Sequence, residues 1–132
     1  MSANVFLNTN ILICALESGG PTPAKTAAAQ ALVRRTDVCL STQVLGEFYR
    51  AVLLKHPEAV AWVQLWKRHD VRPSTVAHVA LALEIAARFR ASYFDALILA
   101  AAWIAGCAIV FSEDFHAGQA YGGVRVENPL PA

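Results

Sequence analysis

The sequence predicts an α/β fold, a three-layer sandwich in which helices flank a central, mainly parallel sheet. Three observations lead there. Short apolar runs, Val5-Phe6-Leu7, Val38-Cys39-Leu40 and Cys107-Ala108-Ile109-Val110-Phe111, are too brief for helices and suit buried strands. Longer segments with helical periodicity and recognisable caps lie between them. Wholly apolar strands that alternate with helices belong to a parallel sheet covered on both faces. At 132 residues, 56% hydrophobic and 16% charged, the chain 1–132 is expected to form one domain with a substantial core.

The elements follow in order. After the first strand, Asn8-Thr9-Asn10 interrupts the apolar pattern before Ile11 resumes it. Ser18-Gly19-Gly20-Pro21-Thr22-Pro23 is the most turn-like stretch, and Thr22 and Pro23 suit the N-cap and first position of a helix from about Ala24 to Arg35. Ser41 and Thr42 close the second strand as caps. Gln43 to about Leu54 is then a helix with Val44, Leu45, Phe48, Tyr49 and Val52 on its apolar side. Pro57 opens another, containing Trp62 and Trp66. Val71 and Arg72 make a minimal strand, and Ser74 is expected to cap a helix reaching about Phe89. Ser92 caps the apolar helix Tyr93 to Ala105, with Gly106 at its C′ position. Cys107–Phe111 is the clearest strand, and Val124-Arg125-Val126 a later one.

Several classes are excluded. No apolar run reaches the roughly 18 residues of a membrane span, and MSANVF is not a secretory leader, so a cytoplasmic location is expected. Cys14, Cys39 and Cys107 are odd in number, far apart and set among apolar residues, as small core residues of a reducing compartment are. A net charge of +1 supports no global electrostatic role. The basic pairs Arg34/Arg35, Lys67/Arg68 and Arg88/Arg90 each stand near a helix C-terminus, where the macrodipole favours cations. They permit a nucleic-acid partner without arguing for one. The histidines show no ligand spacing, although His116 lies close to Asp114. Nucleotide-cradling and serine-nucleophile motifs are absent from the sequence.

In a parallel sheet, ligands bind beyond the carboxyl ends of the strands. Asn8 ends the first strand, Glu47 lies in the helix after the second, Asp95 opens the apolar helix, and Glu113 and Asp114 follow a strand. These residues can bring several oxygen ligands to one pocket. Each also has an ordinary role: Asn8 and Asp95 in caps or turns, Glu47 on a solvated helix face, Glu113 and Asp114 in a loop. A carboxylate on a helix as apolar as that of Asp95 nevertheless needs a partner or a cation. Elsewhere, Glu84 and Arg88 are spaced for an i,i+4 pair, and Asp37 and Asp70 stand before strands at the opposite end of the sheet.

The segments Asn8-Thr9-Asn10-Ile11-Leu12-Ile13, Ser41 to Phe48 (STQVLGEF), Tyr93 to Ala101 (YFDALILAA) and Ser112 to Phe115 (SEDF), followed by Gly118, Gly123 and Asn128-Pro129, together resemble a PIN domain. More narrowly, they resemble the VapC-type toxin ribonucleases of bacterial toxin–antitoxin pairs. The resemblance covers nearly the whole chain in order and implies a PIN-like fold. Carried over by position, the family's four acidic residues fall on Asn8, Glu47, Asp95 and Asp114, with Glu113 an alternative for the last. The resemblance implies Mg²⁺ or Mn²⁺ as cofactor and RNA as substrate. It also implies a cognate antitoxin that contacts much of Gln43 to His69, and a homodimer.

Clustered carboxylates repel one another and RNA, and a divalent cation neutralises both. The departure from the pattern is Asn8, where the family has aspartate. Removing one charge about 4 Å from a divalent ion costs about 2 kcal/mol even in a water-like dielectric, roughly thirtyfold in affinity. The expectation is therefore a chain that folds and binds partners but cleaves RNA poorly. Asp-to-Asn is also the exchange an experimenter would choose to express a toxic nuclease. Two rivals stand beside this reading. One is a PIN-fold binding module for RNA or protein that has lost its chemistry, which would have no reason to keep Glu47, Asp95 and Asp114 together. The other is a receiver-like signalling domain, which wants a lysine at a late strand end; Lys25, Lys55 and Lys67 all lie elsewhere.

Overall fold

The computed structural model describes residues 4–17, 19–115 and 118–131. Its elements run β1 (Val5–Leu7), α1 (Thr9–Ala15), α2 (Pro23–Val33), β2 (Val38–Ser41), α3 (Thr42–Val52), α4 (Ala59–Trp66), β3 (Asp70–Arg72), α5 (Val76–Phe89), α6 (Tyr93–Ile104), β4 (Ile109–Phe111), β5 (Ala120–Tyr121) and β6 (Val124–Glu127). The strands form one sheet in the order β3-β2-β1-β4-β6-β5, parallel throughout except for the antiparallel pair β5–β6. From β1 to β3 the chain steps repeatedly in one direction, with α1 to α4 in the crossovers. From β3 it returns past β2 and β1 to β4, carrying α5 and α6. Because such crossovers are right-handed, the two sets of helices cover opposite faces. This is the expected three-layer architecture.

The sequence explains the layers. Every side chain of β1 and β2 is buried, as a sheet covered on both sides requires. In α3, Ser41 Oγ accepts from the Val44 N–H at 3.3 Å, and Val44, Phe48 and Val52 recur at four-residue spacing as the buried stripe. Phe48 meets Trp66 of α4 edge-on, with centroids 5.8 Å apart. In α6 all seven residues from Ala96 to Ala102 are buried, and this helix packs on α5 and on β2, β4 and β6. Its alanines let the backbone approach the sheet closely. Fully buried side chains such as Phe6, Leu12, Leu40 and Phe48 each contribute about 1.5–3 kcal/mol.

Three local expectations are corrected, and one element is new. Thr75, not Ser74, is the N-cap of α5. Strand β4 begins at Ile109, because Cys107 still bonds back to the end of α6 through Ala102 O. Arg88 lies over the Phe89 ring, 4.9 Å from its centroid, and forms no ion pair with Glu84. The short strand β5 was not anticipated. Among the described residues no helix is long and apolar enough to cross a membrane.

The topology also sets where a site can form. After β1 the chain leaves toward β2, and after β4 it leaves toward β6, so the switch point lies between the adjacent strands β1 and β4. Their carboxyl ends are level, with Leu7 opposite Phe111. The crevice beyond that pair is where an open parallel sheet places a ligand.

Candidate active site

Asn8 follows β1 directly and is almost fully buried. Its N–H continues the strand ladder to Phe111 O at 3.0 Å. Its Oδ1 accepts from the Thr9 N–H at 2.7 Å, which makes it the N-cap of α1. The capping role read from the sequence is therefore real, and it leaves the other end of the amide facing β4. There Nδ2 donates to Ser112 Oγ at 3.1 Å. Ser112 is fully buried and also accepts from Asn10 Nδ2 at 3.2 Å and the Asp114 N–H at 3.1 Å. One hydroxyl ties the ends of β1 and β4 together. Asn10 Oδ1 is buried beside it without a partner.

Glu47 enters from α3. Thr9 Oγ1 donates to its Oε1 at 2.8 Å, and Gln43 Nε2 donates to its Oε2 at 3.3 Å. Glu47 and Gln43 are one helical turn apart, so the second contact follows from helix geometry. Gln43 Nε2 also reaches the Phe94 carbonyl at 3.4 Å, bridging α3 to the start of α6. Asp95 stands in the first turn of α6, its N–H held by Ser92 Oγ at 3.2 Å. Its carboxylate makes no hydrogen bond or ion pair among the described residues. Burial, together with the negative charge of Asp95, pushes the Tyr121 phenol up from its ordinary range.

Asn8, Glu47, Asp95 and Asp114 line a single cavity of about 540 Å³. Four positions spread from residue 8 to residue 114 thus meet at the switch point. Glu113 does not line the cavity; it turns away to Lys25, with 3.4 Å between Nζ and Oε2. His116 lies outside the described residues. Gln43, which bonds Glu47, was read from the sequence only as a helix residue, and Ser112 as a cap or turn residue whose hydroxyl could also orient a neighbouring carboxylate or water.

The cavity's donor set suits a hard divalent cation: its carboxylates and amides offer oxygen, and no thiol or imidazole intrudes. The set is short of charge, however. Among the described residues, no three of His, Cys, Asp and Glu are clustered closely enough to hold a metal by themselves. Asn8 contributes an amide to the lining beside the three carboxylates.

Acidic side chains gathered beyond the carboxyl ends of a parallel sheet, at its switch point, define an α/β protein with a polar crevice site. The family model described as PIN domain matches residues 5–122, and the chain belongs to that family. No curated protein sequence matches it. Among solved structures it is similar to VapC20 of Mycobacterium tuberculosis, described as a sarcin-ricin loop cleaving toxin, with 24% identity, 84% of this chain and 92% of that chain covered, and a TM-score of 0.68. It is similar to a toxin–antitoxin complex from Klebsiella pneumoniae at 18% identity, 99% and 100% coverage and a TM-score of 0.75. It is also similar to DNA-bound VapBC from Salmonella typhimurium at 17% identity, 96% and 98% coverage and a TM-score of 0.70. These likenesses establish the shared fold.

Proposed function

We propose that this protein is the toxin of a type II toxin–antitoxin pair, a Mg²⁺- or Mn²⁺-dependent endoribonuclease of the cytoplasm whose activity is weakened by Asn8. The observation that carries this reading is the convergence of Asn8, Glu47, Asp95 and Asp114 on one cavity. Glu47, Asp95 and Asp114, with the Asn8 amide oxygen, would hold the cation. Such an ion, when bound, supplies Lewis-acid polarisation of the scissile phosphate and offsets the repulsion between RNA and the carboxylates.

The chain's own residues do the rest. Thr9 and Gln43 fix the orientation of Glu47, and Ser112 holds the ends of β1 and β4 in register. The carboxylates of Asp95 and Asp114 are free of hydrogen-bond partners among the described residues. They are therefore open to the cation they would hold. Likeness to the VapBC complexes supports an antitoxin partner; the family resemblance adds a homodimer and antitoxin contact with the helices between Gln43 and His69.

The test is reversion. Asn8→Asp should strengthen Mn²⁺ binding about thirtyfold and raise metal-dependent RNA cleavage, measured by calorimetry and by gel assay on the same preparations. No gain in either quantity would exclude this role for Asn8. The Asn8 amide is well integrated, bonding at both ends, and that observation favours a second reading as a binding module. Retained RNA or antitoxin binding by an inert Asn8→Asp variant would establish it.

A further inference from the structure

The cavity that gathers the carboxylates has two further wall residues of different chemistry. Phe94, the residue immediately before Asp95, lines it while remaining 65% exposed. A large apolar ring held open to water at the mouth of a polar cavity gains little for folding. It is held there nonetheless: Tyr93 packs edge-on against it with centroids 5.3 Å apart, and Gln43 grips its carbonyl. Arg50, one turn beyond Glu47 on α3, lines the same cavity, is exposed, and forms no ion pair among the described residues. An aromatic face and a free guanidinium thus border one cavity with the acidic cluster.

We infer that Phe94 is a stacking platform for an unpaired nucleobase of an RNA strand entering the cavity, and that Arg50 takes a flanking phosphate of the same strand. The inference rests on the ribonuclease reading for RNA as the ligand and adds the two residues that grip the strand. Stacking requires a base splayed out of a helix, because the bases of a duplex already cover one another's faces. Phe94 can therefore take only a base left exposed by a loop or single strand. Phe94 and Arg50 act in binding, apart from the carboxylates that carry the chemistry. Phe94 discriminates unpaired from paired RNA, whereas Arg50 contributes to both.

The experiment measures binding by fluorescence anisotropy. It uses the chain as it stands, with Asn8 limiting cleavage, a labelled stem–loop RNA with an unpaired loop, and a perfect duplex of the same stem. Phe94→Ala is expected to weaken loop binding about tenfold or more and leave duplex binding unchanged, and Phe94→Tyr to keep wild-type affinity. Arg50→Gln is expected to weaken both and to reduce the slope of log Kd against log salt by about 0.7. Circular dichroism and melting temperature control for folding, which substitution of so exposed a ring should leave intact.

Equal loop binding by Phe94→Ala and wild type overturns the proposal, as does equal loss on loop and duplex. A change of molar mass in light scattering without a change in RNA affinity overturns it as well, and makes Phe94 a contact between copies of the chain. If the wild-type chain binds no RNA, the platform and the ribonuclease reading fall together. If Asn8→Asp fails to cleave while loop binding still depends on Phe94, the ribonuclease reading falls and the platform stands.

Discussion

At the scale of single residues, the site is built from short polar side chains that orient longer ones. Thr9 is the clearest case: its hydroxyl donates at 2.8 Å to the Glu47 carboxylate, across 38 positions of sequence. A hydrogen bond to a charged acceptor contributes about 1.5–3 kcal/mol, and its loss frees Glu47 to rotate. In an Asn8→Asp background, Thr9→Val is expected to lower the rate of RNA cleavage about tenfold, while Thr9→Ser keeps it. Unchanged cleavage by Thr9→Val would mean that Glu47 is positioned by α3 and Gln43 alone. That Glu47, Asp95 and Asp114 face one cavity was legible in the sequence, because each is an acid just past a strand or no later than the middle of its helix. Asn8 was legible because it breaks an apolar run. Ser112 was not, since its importance lies in receiving Asn8 Nδ2, a partner 104 positions away, and only the register of β1 on β4 brings the two together. The choice between Glu113 and Asp114 was equally closed to sequence, because neighbouring loop residues differ in direction and not in composition.

At the scale of elements, the apolar runs and caps located the strands and helices well, because local chemistry sets them. Ser92 before α6 and Pro23 at the start of α2 stand where their hydrogen-bonding and φ preferences put them. The element that sequence did not yield is β5, whose two residues are too few to show alternation. It exists because it pairs with β6, Ala120 opposite Arg125 and Tyr121 opposite Val124, around a turn at Gly122-Gly123. Gly122 has φ +66°, and a Cβ added there would clash with the Trp103 ring of α6. The hairpin tip and α6 therefore touch at a glycine, where any Cβ has to displace the Trp103 ring. Gly122→Ala combines left-handed backbone strain with a steric clash and is expected to destabilise the fold by about 1–3 kcal/mol. A fall in the urea midpoint at unchanged slope would register it. An unaltered midpoint would show that the Trp103 ring swings aside freely, as its partial exposure allows.

At the scale of the whole molecule, stability should depend on pH through buried neutral groups, away from the acidic cavity. His78 is buried, and its Nδ1 accepts from the Thr75 N–H at 3.1 Å, capping α5 with a neutral imidazole. Burial lowers its pKa below the ordinary 6.5. His69, stacked against Trp66, is lowered chiefly by burial and also by the charge of Arg68, against an opposing hydrogen bond to the Val33 carbonyl. For a histidine whose folded pKa is depressed, the unfolded chain takes up the proton first. The stabilisation is complete above about 6.5 and drains away as pH falls through the folded value. Asp37 and Asp70, held below the usual carboxylate range by Arg35 and Arg72, add a further loss under more acid conditions, beginning near their ordinary 3.8. That loss is small because both ion pairs are partly exposed. The thiols run the other way: burial raises Cys39 and Cys107 above the ordinary 9.0, so stability is lost as pH climbs past that value and the unfolded chain ionises first. The urea midpoint is therefore expected to hold level between about pH 7 and 9, to fall on acidification toward pH 5, and to fall again in alkali. His78→Gln, which keeps an acceptor for Thr75 without a proton to gain, should flatten part of the acid limb. A midpoint that rises between pH 7 and 5 would mean that the imidazoles are protonated in the folded state, and the neutral cap of α5 would have to be abandoned.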